Sequence, residues 1–112
     1  MEISERAAGT ATIVDLNGKL TLGEPTQRLH DKINSLLQQG QKHIVLNLAE
    51  VSMVDSGGLG ELVRTLTTMH KHGGSLKVAN LPKRIQDLLV MTRLVTVFET
   101  FEDENAALKS FT

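Results

Sequence analysis

The run His43-Ile44-Val45-Leu46-Asn47-Leu48 limits the fold more than any other stretch of the chain. It is almost continuously apolar and rich in branched residues. A run that short, without alternation, predicts a strand covered on both faces. Such a strand needs neighbours and helices around it, and the sequence supplies them. After Gly23-Glu24-Pro25, where Pro25 suits a first helical position, Leu29, Ile33, Leu36 and Leu37 recur at helical spacing. Gly40 follows as a left-handed cap. A second helix places Leu59, Leu62, Val63, Leu66 and Met69 on one face and stops at Gly73-Gly74.

The alternation continues downstream. Ser75 to Leu81 reads as a strand, and Pro82 opens a third helix with Ile85, Leu88 and Leu89 inward. Val97, Phe98 and Phe101 suggest a short last strand. Asp103 is placed to cap a closing helix through Ala107, Leu108 and Phe111. Upstream, residues 3–8 and 10–16 read as two strands, Asn17-Gly18 as a hairpin turn, and Lys19 to Leu22 as a short return strand. Strands alternating with helices imply crossovers and a largely parallel α/β sheet, antiparallel only at its first edge. In such sheets, ligands and partners gather at the carboxyl ends of the strands.

Composition narrows the function classes. The 112 residues suit one domain, taken here as 1–112. Net charge is −1 and the basic residues are scattered, so no field or stripe favours nucleic acid. With no cysteine there is no disulfide, thiolate chemistry or Cys-ligated metal. No leader pattern opens the chain, and no apolar run is long enough to span a membrane. A cytoplasmic protein is expected.

Chemistry concentrates in Val54-Asp55-Ser56-Gly57-Gly58-Leu59-Gly60. The stretch resembles the Asp-Ser-Gly-Gly of trypsin-like proteases, but those need a far longer double barrel with an upstream His and Asp. It half-matches a nucleophile elbow, yet Val54 takes the first glycine position and no histidine follows His72. Without a base, Ser56 is no hydrolytic nucleophile. A glycine-rich helix start can hold an anion, but the Gly-Lys-Ser/Thr ending of a phosphate loop is missing. Asp55 or Ser56 serves as an N-cap. A cap leaves Gly57 and Gly58 unexplained, because each costs about 0.5–1 kcal/mol in a helix relative to alanine. Close approach of another backbone, or a left-handed turn, would account for them. A phosphate on Ser56 would sit where the helix dipole favours it and would add charge to an exposed surface.

Other polar groups carry less. His70 and His72 face different sides of a helix and do not chelate, and His30 and His43 read as surface or core-edge residues. Glu99, Glu102, Asp103 and Glu104 form a solvated acidic cluster. Met53, Met69 and Met91 are expected to fill the core.

Val51-Ser52-Met53-Val54-Asp55-Ser56-Gly57-Gly58-Leu59-Gly60, with His43 to Val51 before it and His72 to Leu81 after it, resembles the STAS domain. More narrowly it is similar to the bacterial anti-sigma factor antagonists, over nearly the whole chain. The resemblance implies a single domain with a four- to five-stranded mixed sheet and about four helices. It implies partner switching without enzymatic activity or cofactor. The unmodified protein binds an anti-sigma factor, itself a serine kinase of the histidine-kinase-like ATP-binding type, and so frees a sigma factor. Phosphorylation releases the pair, and a phosphatase resets it. By position the phosphoacceptor is Ser56 and Asp55 is its motif neighbour. Gly57, Gly58, Leu59 and Gly60, with Glu61 and Arg64 on the exposed face of the second helix, form the partner surface. Two positions depart from the pattern: Gly57 replaces a usual Ser or Thr, and Thr21 replaces the acid of Gly-x-Leu-Asp. STAS domains also serve as scaffolds or accessory subunits, in lipid transport or sensor complexes, and an unphosphorylated role of that kind is the alternative.

Overall fold

The computed structural model describes residues 1–111. Five strands and four helices follow one another as β1 Glu2–Ala8, β2 Ala11–Leu20, α1 Glu24–Gln38, β3 His43–Val54, α2 Ser56–Lys71, β4 Ser75–Ala79, α3 Lys83–Met91, β5 Glu99–Phe101 and α4 Glu104–Lys109. The sheet order is the chain order, β1-β2-β3-β4-β5. β1 runs antiparallel to β2, and every later pairing is parallel. This is the α/β class expected, with a mixed sheet and four helices.

The central strand has the two-faced character its sequence demands. Ile44, Leu46 and Leu48 point into the larger core with Val14, Leu16, Leu20, Leu76 and Val78. Leu29, Ile33 and Leu36 of α1 close this core, with Leu59, Leu62, Leu66 and Met69 of α2 and Ile85 and Leu89 of α3. Val45 points the other way, into a small cluster with Ile13, Ala79 and Ala107. Among the described residues only the short α4 covers that second face, helped by Phe101 and Phe111. Lys77 lies buried there, bonded to Glu99 at 2.6 Å and seated over the rings of Phe101 and Phe111 at 5.8 and 5.1 Å.

The helix boundaries follow local chemistry. Thr26 Oγ1 donates to the Gly23 carbonyl at 2.9 Å and accepts the Gly23 amide at 3.2 Å, which fixes the start of α1. Pro25 falls in the first turn, one residue later than the sequence suggested. Gly40 ends the helix at φ +83°. Asp103 caps α4 by accepting the Ala106 amide at 2.8 Å.

Two expectations are corrected. The hairpin turns at Gly9-Thr10, where Ala8 pairs with Ala11 and Gly9 takes φ +63°. Asn17-Gly18 lies inside β2, which runs on unbroken to Leu20, so there is no separate return strand. The Asn-Gly pair instead shifts the β2–β3 register, between Asp15 and Asn17 and between Gly18 and Lys19. Gly18 adopts φ +115°, which a side chain would resist. Turn residues therefore made a bulge, because β3 also runs long, to Val54, and pairs with β2 to its end. Of the methionines assigned to the core, Met69 is fully buried, whereas Met53 is half exposed and Met91 is 80% exposed.

Arg6 joins Asp15 at 2.7 Å and Glu104 at 2.7 Å, tying the edge hairpin to α4 at an exposed position. Such pairs contribute little. Arg6→Ala should cost under about 1 kcal/mol, whereas Leu46→Ala should cost about 2–5 kcal/mol. Urea denaturation of the two variants checks this order, and equal losses would contradict the division of the core given above.

Candidate functional site

The site stands where β2 and β3 end side by side. Their parallel pairing continues to Leu20 against Val54, which sets the next residues of each strand together. Asp55 holds the junction. Its carboxylate accepts the Gly58 amide at 2.7 Å, capping α2, and the Leu22 amide at 3.1 and 3.2 Å. The Asp55 amide in turn donates to the Leu20 carbonyl at 3.4 Å. One carboxylate thus ties the end of β2 to the start of α2. The Gly58 hydrogen bond, then that of Leu22, holds its pKa below the ordinary carboxylate value. What Asp55 adds to stability is therefore present above that ordinary value and lost as pH falls through the lowered one.

With Asp55 as the cap, Ser56 is left as the first residue of α2. It is exposed, and its hydroxyl makes no hydrogen bond among the described residues. The local fold does not use it.

The two following glycines are explained by close approach. A Cβ on Gly58 would fall 2.0 Å from the Leu20 carbonyl oxygen, a backbone atom that cannot yield. A Cβ on Gly57 would fall 2.5 Å from the Cβ of Leu22. Neither glycine has a positive φ, so the left-handed alternative does not apply. Leu22 itself is 76% exposed, an apolar side chain laid over Gly57 beside Ser56.

Farther along α2 the expectation divides. Leu59 is buried in the core, and Gly60 and Arg64 are exposed. Glu61 was expected on the exposed face but is only 7% exposed, turned toward α1. Its Oε2 lies 3.7 Å from His30 Nδ1, and its Oε1 lies 3.6 Å from an Arg64 nitrogen. Oε2 is buried without a hydrogen bond among the described residues. Burial pushes the Glu61 carboxyl up, and Arg64 and His30 offset part of that rise. His30 completes the cluster, its Nε2 lying 3.0 Å from Asn34 Nδ2 and 3.3 Å from Arg64 Nη2.

Between α1 and α2 opens a cleft of about 450 Å³, lined by Leu22, Thr26, Gly57, Gly60, Glu61 and Arg64 among others. Beyond Met53 and Val54, against α3, lies a more apolar cleft of about 560 Å³ reached by Leu88 and Met91. The sequence brought Asp55, Ser56 and the glycines forward but missed Leu20, Leu22 and His30. These come from the end of β2, the turn after it and α1. The parallel pairing of β2 with β3 is the signal that would have found the first two.

Two glycines of one helix should respond oppositely to one methyl group. Gly58→Ala must push back the Leu20 carbonyl and should destabilise by about 1–3 kcal/mol. Gly60→Ala meets no atom within 4 Å and should stabilise by about 0.5–1 kcal/mol. Thermal unfolding of both variants measures the signs, and a stabilising Gly58→Ala would refute the close-approach account.

Comparison with known proteins agrees with this fold. Residues 2–107 match the STAS domain. The anti-sigma-B factor antagonist of Bacillus subtilis is 38% identical over 71 residues, 63% of this chain and 64% of that one. This chain therefore spans just under two thirds of that relative. The anti-sigma F factor antagonist of Paenibacillus polymyxa is 28% identical over 86% of this chain and 82% of its own. Structures of SpoIIAA from Bacillus share the fold. The unphosphorylated form superposes with TM-score 0.74 at 16% identity, covering 98% of this chain and 97% of that one. The phosphorylated form gives 0.73 at 17% identity, covering 97% and 99%. From its sequence match and its architecture together, this chain belongs to the STAS domain family.

Proposed function

We propose that this protein is an anti-sigma factor antagonist switched off by phosphorylation of Ser56. In its unmodified form it binds an anti-sigma serine kinase through Asp55, Ser56, Gly57, Gly60 and Arg64, with Leu22 beside them. Binding draws the kinase from its sigma factor, so transcription changes without this chain touching nucleic acid. The kinase phosphorylates Ser56 and is released, and a phosphatase restores the hydroxyl. The protein acts as a cytoplasmic binding module, not as an enzyme. Among the described residues no helix is long and apolar enough to cross a membrane.

The observation that carries the reading is the division of labour between Asp55 and Ser56. Asp55 makes the structural hydrogen bonds, and Ser56 presents an unused hydroxyl at a helix N-terminus. A phosphate there meets the positive end of the dipole, so it changes the surface while the fold stands. The two curated relatives carry the antagonist name, and the second SpoIIAA structure is described as phosphorylated. Gly58, Leu59 and Glu61 are buried, so they act from beneath the surface and not as direct contacts.

A scaffold or accessory role without phosphorylation would use the same face. Gly57 and Thr21, which replace the hydroxyl and the acid of the family pattern, favour it.

Incubation with the cognate kinase and ATP, followed by mass spectrometric mapping, tests the assignment. The expected product carries one phosphate, on Ser56, and Ser56→Ala carries none. A phosphate elsewhere, or none, overturns the Ser56 switch, and no phosphate beside retained binding selects the scaffold role. In titration calorimetry, Ser56→Asp should fold normally and bind the kinase at least about tenfold more weakly, roughly 1.4 kcal/mol. Undiminished binding would move the interface away from this face.

A further inference from the structure

Four polar side chains from two helices meet beside the cleft between α1 and α2. His30 and Asn34 come from α1, and Glu61 and Arg64 come from α2. Polar groups this close together fix one another's protons.

The protons can be assigned from donor chemistry. A guanidinium only donates, so the 3.3 Å hydrogen bond from Arg64 Nη2 makes His30 Nε2 an acceptor. A ring nitrogen that accepts carries no proton. His30 is therefore the neutral imidazole, with its single proton on Nδ1. Asn34 follows suit and turns its NH2 toward the same nitrogen, at 3.0 Å. Nδ1 lies 3.7 Å from Glu61 Oε2, a buried oxygen with no hydrogen bond among the described residues. The imidazole thus stands between an anion that draws its proton and a cation that takes its lone pair. A histidine free in water favours the other tautomer, so this one is imposed by the neighbours.

Arg64 is the outward end of the row. Its side chain is 59% exposed, against 23% for His30 and 7% for Glu61. Nη1 lies 3.6 Å from Glu61 Oε1, longer than a hydrogen bond. Glu61 therefore attracts the guanidinium, and the hydrogen bond to His30 fixes where it lies. A guanidinium has five N–H donors, so most remain for a partner. An arginine that must be ordered on binding weakens the complex by the freedom it loses. One that is already seated loses less.

We propose that His30 is a positioning residue for partner recognition. Held with its proton on Nδ1 toward Glu61, it offers Nε2 to Arg64 and seats the guanidinium where the partner meets it. The inference rests on the reading of Arg64 as part of the partner surface. It also gives the buried Glu61 its part, which is to orient the imidazole that orients the arginine. The partner surface on α2 is thereby set in place from α1.

Two measurements test this. Long-range proton–nitrogen NMR on the full chain alone, at about pH 8 where unpaired histidines are neutral, reads which ring nitrogen carries the proton. His30 should show a protonated Nδ1 and a bare Nε2. A proton on Nε2 overturns the proposal and leaves Ser56 as a kinase target untouched. Titration calorimetry with the cognate kinase supplies the second measurement. His30→Leu, which removes the acceptor, should weaken binding about three- to tenfold. His30→Gln, whose amide oxygen can accept near the place of Nε2, should recover most of that loss. In an Arg64→Ala background, His30→Leu should add no further loss. Undiminished binding by His30→Leu overturns the proposal, and so does a glutamine as weak as the leucine or a loss that adds to that of Arg64→Ala. Circular dichroism confirms that each variant is folded, and the NMR result needs no variant. If Arg64→Ala itself binds as the wild type does, the proposal falls together with the place of Arg64 in the surface, whereas the mapping of phosphate to Ser56 is decided separately.

Discussion

The Asp55 carboxylate is the interaction on which the functional end of the molecule depends. It takes one amide from the helix it caps and one from the strand end beside it. Without it, α2 and the segment after β2 would share only packing at the point where they must lie closest. Gly58 makes the approach possible, since the Leu20 carbonyl occupies the space where a side chain would stand. The hydrogen bonds and the missing Cβ are two halves of one joint. Ser56 is exposed because its neighbour already does the work of capping.

This joint is fixed to a rigid base. β2 and β3 pair along almost their whole length, and the core beneath them is filled by Leu16, Leu20, Leu46 and Leu48, all essentially inaccessible. Disturbing that core would cost several kcal/mol, whereas the exposed ion pairs over the surface contribute tenths. The site can therefore be modified without a matching loss of structure. The second face of the sheet is different. It is closed by one short helix, and its polar members are tied together, from Arg6 through Asp15 to Asn47 and Asn80.

Much of this was legible in the sequence. The two-faced strand at Ile44 to Leu48, the helical spacing of Leu29 and Ile33, and the caps at Gly40 and Asp103 came from periodicity and local backbone chemistry. These signals act over a few residues. The errors share a cause. Asn17-Gly18 has the chemistry of a turn, and only the presence of β3 alongside turned it into a bulge. Glu61 looks like a surface residue of α2 until α1 packs against it. The two glycines could be flagged as costly, but what pressed on them lay some 35 residues away, at Leu20 and Leu22. The resemblance placed Ser56 at the centre of the site. Local reasoning could not have shown which of Asp55 and Ser56 is structural.

The sheet order carries a consequence for how the molecule is made. Strands lie side by side in the order in which a ribosome would release them. Each new strand finds its neighbour already present, the parallel pairings joining residues 22 to 34 apart. β2, α1, β3 and α2, which together build the joint, are complete by Lys71. The remaining elements extend the sheet outward and close its far side. A nascent chain could thus assemble the Asp55 joint before its last third has been synthesised.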